Sequence, residues 1–297
     1  MSRKSAVTFR VAPLLAALCI PIAGAAAALA MAPHAARALD DLSKYPNLKG
    51  QWQLLGTHRW EFKNHPAPLT PEYRAVYQDN LARMDAGGVG DMASWYCLPQ
   101  GMPMMMSLYD PMEIIVTPET TYILISHVND SYRRIYTDGR DWPAEGEYER
   151  TFAGYSIGRW IDENHDGHYN VLEVETRGFK GPRVFDGSGL PLAHDDQSIV
   201  KEPIHVDKDN PNLIYNDITV IDSALTQPWS VTKKAERVSN PRPMWQTAVC
   251  AENNSMIRIG KDAYYQSQDG YLMPLKKDQP PPDLRYFNRT SNNKTPK

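Results

Sequence analysis

The chain reads YNVLEVET at residues 169–176, where apolar side chains alternate with polar ones. A period of two is typical of a β-strand with one buried face. Similar runs rich in β-branched and aromatic residues are separated by turn signals such as Asp138-Gly139 and Asp166-Gly167. The sequence therefore predicts an all-β fold, an antiparallel meander closed into a barrel or folded as a sandwich. The other predicted strands are 112–117, 121–128, 132–137, 152–160, 198–206, 213–221 and 229–237.

The segment before these runs predicts one short helix. Thr70 can cap its first turn, Pro71 suits the first helical position, and Glu72 favours the positive end of the helix dipole. We expect the helix to run to about Met84, before two glycines. Residues 48–60 predict a first strand or two, and the connections to both sides are long.

The N-terminus has the features of a secretory signal. Arg3, Lys4 and Arg10 precede an apolar run at 11–30, which is followed by alanine-rich sequence. An uncleaved membrane anchor is the alternative, but the prolines in the run favour cleavage. Cleavage before Leu39 would leave 259 residues. We therefore expect a periplasmic or secreted protein with no stable membrane anchor after cleavage.

Three segments follow from this composition. Residues 1–38 are predicted to be the signal peptide, 39–276 a single β-barrel domain with an N-terminal helical segment, and 277–297 a disordered tail. Without the signal the chain has 28 basic and 35 acidic residues and no basic cluster outside its tail. This balance argues against binding to nucleic acid or to an anionic membrane surface. The sequence does not decide the oligomeric state.

Two cysteines, Cys97 and Cys250, remain after cleavage. An even number of cysteines in an exported protein predicts a disulfide, with two separate thiols as the alternative. No Cys-x-x-Cys or Cys/His spacing indicates zinc.

Four runs of sequence resemble a known family when taken together. They are RIYTDGR at 134–140, GYSIGRW at 154–160, ETRGF at 175–179 and CAENN at 250–254. Over roughly residues 95–255 the chain is similar to a large family of exported, mostly uncharacterised proteobacterial proteins. The resemblance implies a lipocalin-like (calycin-type) antiparallel barrel around a cavity. It implies no particular activity.

The first candidate site is a polar cluster in the first of these runs. Arg134 and Tyr136 share one face of the predicted strand, and Asp138 and Arg140 follow at its end. We expect this face to point into the barrel, with the arginines binding an anionic or polar substrate and with Tyr136 and Asp138 in acid–base roles. An ion pair at the rim of the barrel, of Asp138 with Arg140 or with Arg159, is the alternative.

A second group lies between predicted strands. His194 is followed by two aspartates, and a carboxylate can orient an imidazole as a general base. We expect His194 to be catalytic, and Arg183 and Trp160 to bind substrate in the same cavity. A solvated loop histidine is the alternative.

A third pattern resembles a calcium loop. Asp162, Asn164, Asp166 and Glu173 match D-x-[DN]-x-[DN]-G-x5-E in every specified position. A strand follows the glycine where the calcium motif needs a helix, so an acidic hairpin turn without metal is the alternative. Calcium is the one cofactor that the sequence suggests.

Two functional hypotheses follow. The first is a cofactor-independent acid–base enzyme, a lyase, isomerase or hydrolase, acting on a small organic substrate. The second is a non-catalytic ligand-binding or carrier barrel. A structural periplasmic protein without a ligand is a third alternative. The methionines at 102–106 could line a ligand pocket, with core filling as the alternative. Ser156 formally matches G-x-S-x-G, but it lacks the strand–turn–helix context of a hydrolase nucleophile.

Overall fold

A computed structural model describes residues 42–144, 146–195, 197–250, 255–260, 262–283 and 285. The predicted signal peptide and most of the predicted tail lie outside these ranges. Nine strands form a closed barrel in which each strand pairs with its neighbours in chain order. The strands are β1 Gln51–Leu55, β2 Met112–Val116, β3 Thr120–His127, β4 Asn129–Tyr136, β5 Tyr155–Ile161, β6 Val171–Arg177, β7 Ile199–Val206, β8 Leu213–Ile221 and β9 Trp229–Arg237. The prediction of an all-β barrel is confirmed.

The barrel has one parallel junction, between β4 and β5. Strand directions cannot alternate around a closed ring that has an odd number of strands, so a nine-stranded barrel needs such a junction. The pairing there is short and joins Ile135 with Ser156 and Tyr136 with Ile157. Every other neighbouring pair, including the closing pair of β1 with β9, is antiparallel.

The two ends of the barrel carry different connections. One end, called the long-loop end, carries 56–111, 178–198 and 222–228. The other end carries the shorter turns 117–119, 162–170 and 207–212. The connection 137–154 runs between the two ends because it joins parallel strands. The long-loop end therefore has enough chain to cover the barrel.

Helix α1, Pro71–Asp85, lies in the first long connection. Its predicted start is confirmed, because the Thr70 side chain caps the helix by accepting a hydrogen bond from the Tyr73 amide. Three short 3-10 turns occupy Leu42–Lys44, Ala93–Tyr96 and Met104–Ser107. In the described ranges no helix is both long and apolar enough to cross a membrane.

The core follows from the two-residue period of the strands. In β8 the side chains of Ile214, Asn216, Ile218 and Val220 are buried, and the alternate residues between them are more exposed. Aromatic residues close the long-loop end, where Trp60 packs against Phe185 and Trp229 with ring centroids 5.0 and 5.5 Å away. The barrel is therefore mostly filled by its own side chains.

The predicted disulfide between Cys97 and Cys250 is confirmed, with the two Cα atoms 5.3 Å apart. It holds the segment 248–250 against β4, whose Asp130 amide donates to the Ala248 carbonyl oxygen at 3.0 Å. An isolated bridge joins Asn129 to Val249 on the edge of β4 that does not face β3. The disulfide thus anchors the segment 248–250 along the part of β4 that does not pair with β5.

The sequence did not predict a second, three-stranded sheet that follows the disulfide. Its strands are β10 Met256–Ile259, β11 Asp262–Gln266 and β12 Leu272–Pro274. These strands are short and most of their side chains are at least partly exposed, so they have little of the apolar alternation that marks β1–β9.

Candidate functional site

Strands β4 to β9 each place one buried polar side chain on the inner face of the barrel. We call this set the inner polar belt. In strand order its members are Arg133, Ser156, Thr176, Glu202, Asn216 and Lys233.

Arg133 and Glu202 form the centre of the belt. Both side chains are fully buried, and the Arg133 Nη1 and Nη2 atoms donate to the two Glu202 carboxylate oxygens at 3.1 and 2.5 Å. Arg133 also donates to the Thr176 hydroxyl at 2.7 Å and to the Ser156 hydroxyl at 3.3 Å. Burying two charges is tolerated because they are paired and hydrogen-bonded. Ser156 is therefore part of this buried network.

Asn216 continues the belt. Its Nδ2 donates to a Glu202 carboxylate oxygen at 2.9 Å, and the side chain is 6% exposed. Its Oδ1 is buried and has no hydrogen-bond partner among the described residues. Because a carboxylate only accepts hydrogen bonds, the Nδ2 amino group of Asn216 must face Glu202, and the side-chain carbonyl oxygen must point elsewhere.

Lys233 ends the belt and is the cross-strand partner of Asn216. Its ammonium donates to the main-chain carbonyls of Thr57, His58 and Arg59 at 3.2, 3.2 and 2.7 Å. Burial lowers the pKa of Lys233 to about 8, and the nearby charge of Asp186 opposes this shift. Lys233 therefore anchors the start of the first long connection to the barrel wall.

Asn216 and Lys233 line a chamber inside the barrel, beside the junction of β1 and β2. The free volume of this chamber is about 20 Å³, which is room for about one water molecule. The chamber has a mainly apolar wall, which includes Trp52, Met105, Met106, Ile114, Ile125 and Ala235.

Two histidine pairs lie near the rim of this chamber. Asp110, which lines the chamber, accepts a hydrogen bond from His127. The adjacent Tyr109 hydroxyl contacts the His58 ring. Burial lowers the pKa of His58, which favours the neutral ring. A carboxylate–imidazole pair can move a proton to or from a bound molecule.

The prediction that Arg134 and Tyr136 face the interior is wrong. Arg133 and Ile135 take the inner face of β4, and Arg134 is exposed. The Arg134 guanidinium lies 5.4 Å from the ring centre of Tyr122 on the outside of the barrel. Both faces of this strand carry an arginine, so its alternation alone did not identify the inner face.

Asp138 and Arg140 form an ion pair on the surface, as in the alternative interpretation. The Arg140 guanidinium also lies 3.7 Å from the ring centre of Tyr136 and donates to the Tyr155 hydroxyl at 3.2 Å. The hydrogen bonds that Arg140 donates to the Asp138 carboxylate are the main reason why the pKa of Arg140 is raised. Three of the runs that carry the family resemblance lie on or next to the neighbouring strands β4, β5 and β6, at 134–140, 154–160 and 175–179. The fourth run, 250–254, lies outside the described residues apart from Cys250.

The structure separates the remaining predicted site residues. His194 is exposed in a loop. Arg183 is buried, where it donates to the Met102 carbonyl at 3.2 Å and the Ser198 hydroxyl at 2.9 Å, and burial lowers its pKa to about 10. Trp160 packs against the core and donates to the Thr121 hydroxyl at 3.2 Å. These three residues therefore do not form a common site.

The predicted calcium ligands are also not brought together. Asp162 accepts hydrogen bonds from the amides of Asp166 and Gly167, as expected for a hairpin turn. Glu173 instead pairs with Arg159 at 2.7 Å, while Asn164 and Asp166 are exposed. Within the described ranges, no group of three or more His, Cys, Asp or Glu side chains is arranged to hold a metal ion.

Comparison with known proteins gives no match: no family model, no curated protein and no solved structure is significantly similar to the chain.

The inner polar belt and the two histidine pairs at the chamber rim are not predicted from the sequence. The sequence of β8 does indicate one member of the belt, because its inner positions are Ile214, Asn216, Ile218 and Val220. A lone polar residue in an otherwise apolar alternation marks a buried polar group. The rim pairs carry no such signal, since they join loop residues to other segments.

Proposed function

We propose that the protein is an exported barrel that binds a small organic molecule in the chamber inside the barrel, beside the junction of β1 and β2. The observation that supports this most is the mainly apolar chamber wall, which includes Asn216, a residue whose buried Oδ1 has no hydrogen-bond partner among the described residues. A mainly apolar site with very few polar groups is typical of small-molecule binding. The predicted signal peptide and the disulfide are consistent with a periplasmic location.

A bound molecule would need more room than the free chamber offers. A benzene-sized guest occupies a cavity of roughly 150 Å³, against a free volume of about 20 Å³. Met105 and Met106 provide the means to enlarge the chamber, because methionine has three rotatable bonds and repacks easily. We therefore infer that these two side chains fill the chamber in the free protein and move aside for the guest.

A toluene titration tests this proposal. Toluene at a hundred times its dissociation constant should stabilise the fold by about 2.7 kcal/mol and raise Tm accordingly. Ala235→Leu fills the chamber wall and should remove this stabilisation. Ala144→Leu, at an exposed position, is the matched control and should respond like wild type. If neither toluene nor phenol changes the Tm of wild type, or if toluene stabilises Ala235→Leu as much as wild type, binding in the chamber is wrong.

A second candidate is an acid–base enzyme, and the contact of Asp110 with His127 at the chamber rim favours it. In this case His127 would accept a proton from the bound molecule and Asp110 would orient its ring. The residues that carried this hypothesis in the sequence do not support it, because Arg134 and His194 are exposed away from the chamber.

The ring opening of 5-nitrobenzisoxazole tests this candidate, since a base removes its C–H proton as the N–O bond breaks. An active protein should lose roughly 10²–10⁴-fold in rate on His127→Ala. His194→Ala changes an exposed histidine and is the control. Equal rates in wild type and both variants would leave the binding function alone.

A further inference from the structure

The chemistry of the guest can be inferred from Asn216. This inference rests on the proposed binding function and concerns the same chamber. Asn216 Nδ2 is fixed on Glu202, which is itself paired with Arg133. A flip of the amide would place two acceptors against each other and is excluded by this network. The carbonyl oxygen must therefore be the atom that Asn216 offers to a guest.

The neighbouring cation cannot satisfy this oxygen. The three N–H groups of Lys233 already have carbonyl acceptors at Thr57, His58 and Arg59. In the described chain Asn216 Oδ1 has no other partner, although the side chain is 94% buried. A buried acceptor without a donor is costly, so a donor that reached it would bind favourably.

Charge restricts the guest further. A carboxylate guest would bring a second acceptor to Asn216 Oδ1 and would find the donors of Lys233 and Arg133 occupied. A cationic guest at Asn216 would lie beside the Lys233 ammonium, and the lining carboxylate Asp110 is already paired with His127. Neither charged group would be compensated there.

We propose that the chamber binds a small neutral molecule with an apolar body and one hydroxyl, which donates its hydrogen bond to Asn216 Oδ1. Phenols and short alcohols belong to this class. The apolar body takes the space that Met105 and Met106 vacate. Specificity then comes from a single hydrogen bond, because an analogue without the donor leaves the buried oxygen unsatisfied.

Phenol and toluene form a matched pair of probes, because they differ in a hydroxyl against a methyl group. Dissociation constants for both are measured by calorimetry on wild type and on Asn216→Leu. The ratio of the toluene constant to the phenol constant should fall at least about 5-fold in the variant, the effect of one lost hydrogen bond. Asn164→Leu, in the exposed hairpin turn, should keep the wild-type ratio. Asn216→Ala replaces Asn216→Leu if the larger residue prevents folding.

The outcomes separate the two proposals. An unchanged ratio in the Asn216 variant, with both probes still bound, contradicts the hydroxyl ligand and leaves the binding function intact. Binding of neither probe to wild type contradicts the binding function itself and reduces the chamber to a site for water. A ratio that falls in Asn216→Leu and not in Asn164→Leu supports the proposal.

Discussion

The inner surface of the barrel has two halves that treat buried polar groups differently. On the β4–β7 side an ion pair and hydrogen bonds join four buried side chains, Arg133, Glu202, Ser156 and Thr176. On the opposite side the wall is apolar, and within the described chain Asn216 Oδ1 is left without a donor. A network whose polar groups satisfy one another offers no free donor or acceptor to a guest, whereas a polar group left without a partner can recognise one. The inner polar belt therefore has a structural part, around Arg133 and Glu202, and a part that lines the candidate site, at Asn216.

The largest effect is expected in the structural half. Arg133→Met leaves Glu202 buried with its charge uncompensated and should lower the free energy of unfolding by about 3–5 kcal/mol. Urea denaturation measures this change. The double variant Arg133→Met/Glu202→Met removes both charges and should recover most of the loss. If Arg133→Met lowers the free energy of unfolding by less than about 1 kcal/mol, which is the contribution of a surface ion pair, the pair is not the centre of the belt.

Lys233, at the border of the two halves, should give the stability a dependence on pH. Its pKa is lowered from 10.5 to about 8 by burial, so between these values the unfolded chain binds more protons than the folded one. The free energy of unfolding should therefore rise with pH in this window, by at most about 1.4 kcal/mol per pH unit. Urea denaturation at several pH values measures the slope.

Lys233→Met should lose this rise, and Lys234→Met, which changes the exposed neighbour, should keep it. The same slope in Lys233→Met and wild type would place the titrating group elsewhere.

A smaller effect is expected in the chamber half. Asn216→Leu removes a hydrogen bond to Glu202 but also removes a buried carbonyl for which the described chain offers no donor. We expect a net loss of about 1–2 kcal/mol in the free energy of unfolding. A loss as large as that of Arg133→Met would mean that both halves belong to one structural network and would weaken the distinction between them.

The smallest effect is expected outside the barrel. Arg134→Met removes an exposed cation beside the Tyr122 ring and should change the free energy of unfolding by less than about 1 kcal/mol. It should leave toluene binding unchanged. With Arg133→Met it makes a matched pair of adjacent arginines on opposite faces of β4. Equal losses in the two variants would contradict the assigned faces.

Much of the fold could be predicted from local patterns. The strands β2–β9 follow runs whose alternation or β-branched content is visible in the sequence, and Thr70 and Pro71 mark the start of α1. The candidate site could be predicted only in part. Residues of the same strand are related by a simple period, whereas Asp110 and His127 meet only because β2 and β3 form a hairpin.

The sequence by itself determined the all-β class, the helix start and the pair of cysteines, because each depends on local conformational preference or on a count. Only the tertiary structure decided which face of β4 is inside, because Arg133 and Arg134 make both faces plausible. It also decided the partner of the buried arginine, Glu202, which lies 69 residues away. The reason is that the barrel is closed, so that a side chain on the inner face of one strand meets side chains from strands that are distant in the sequence.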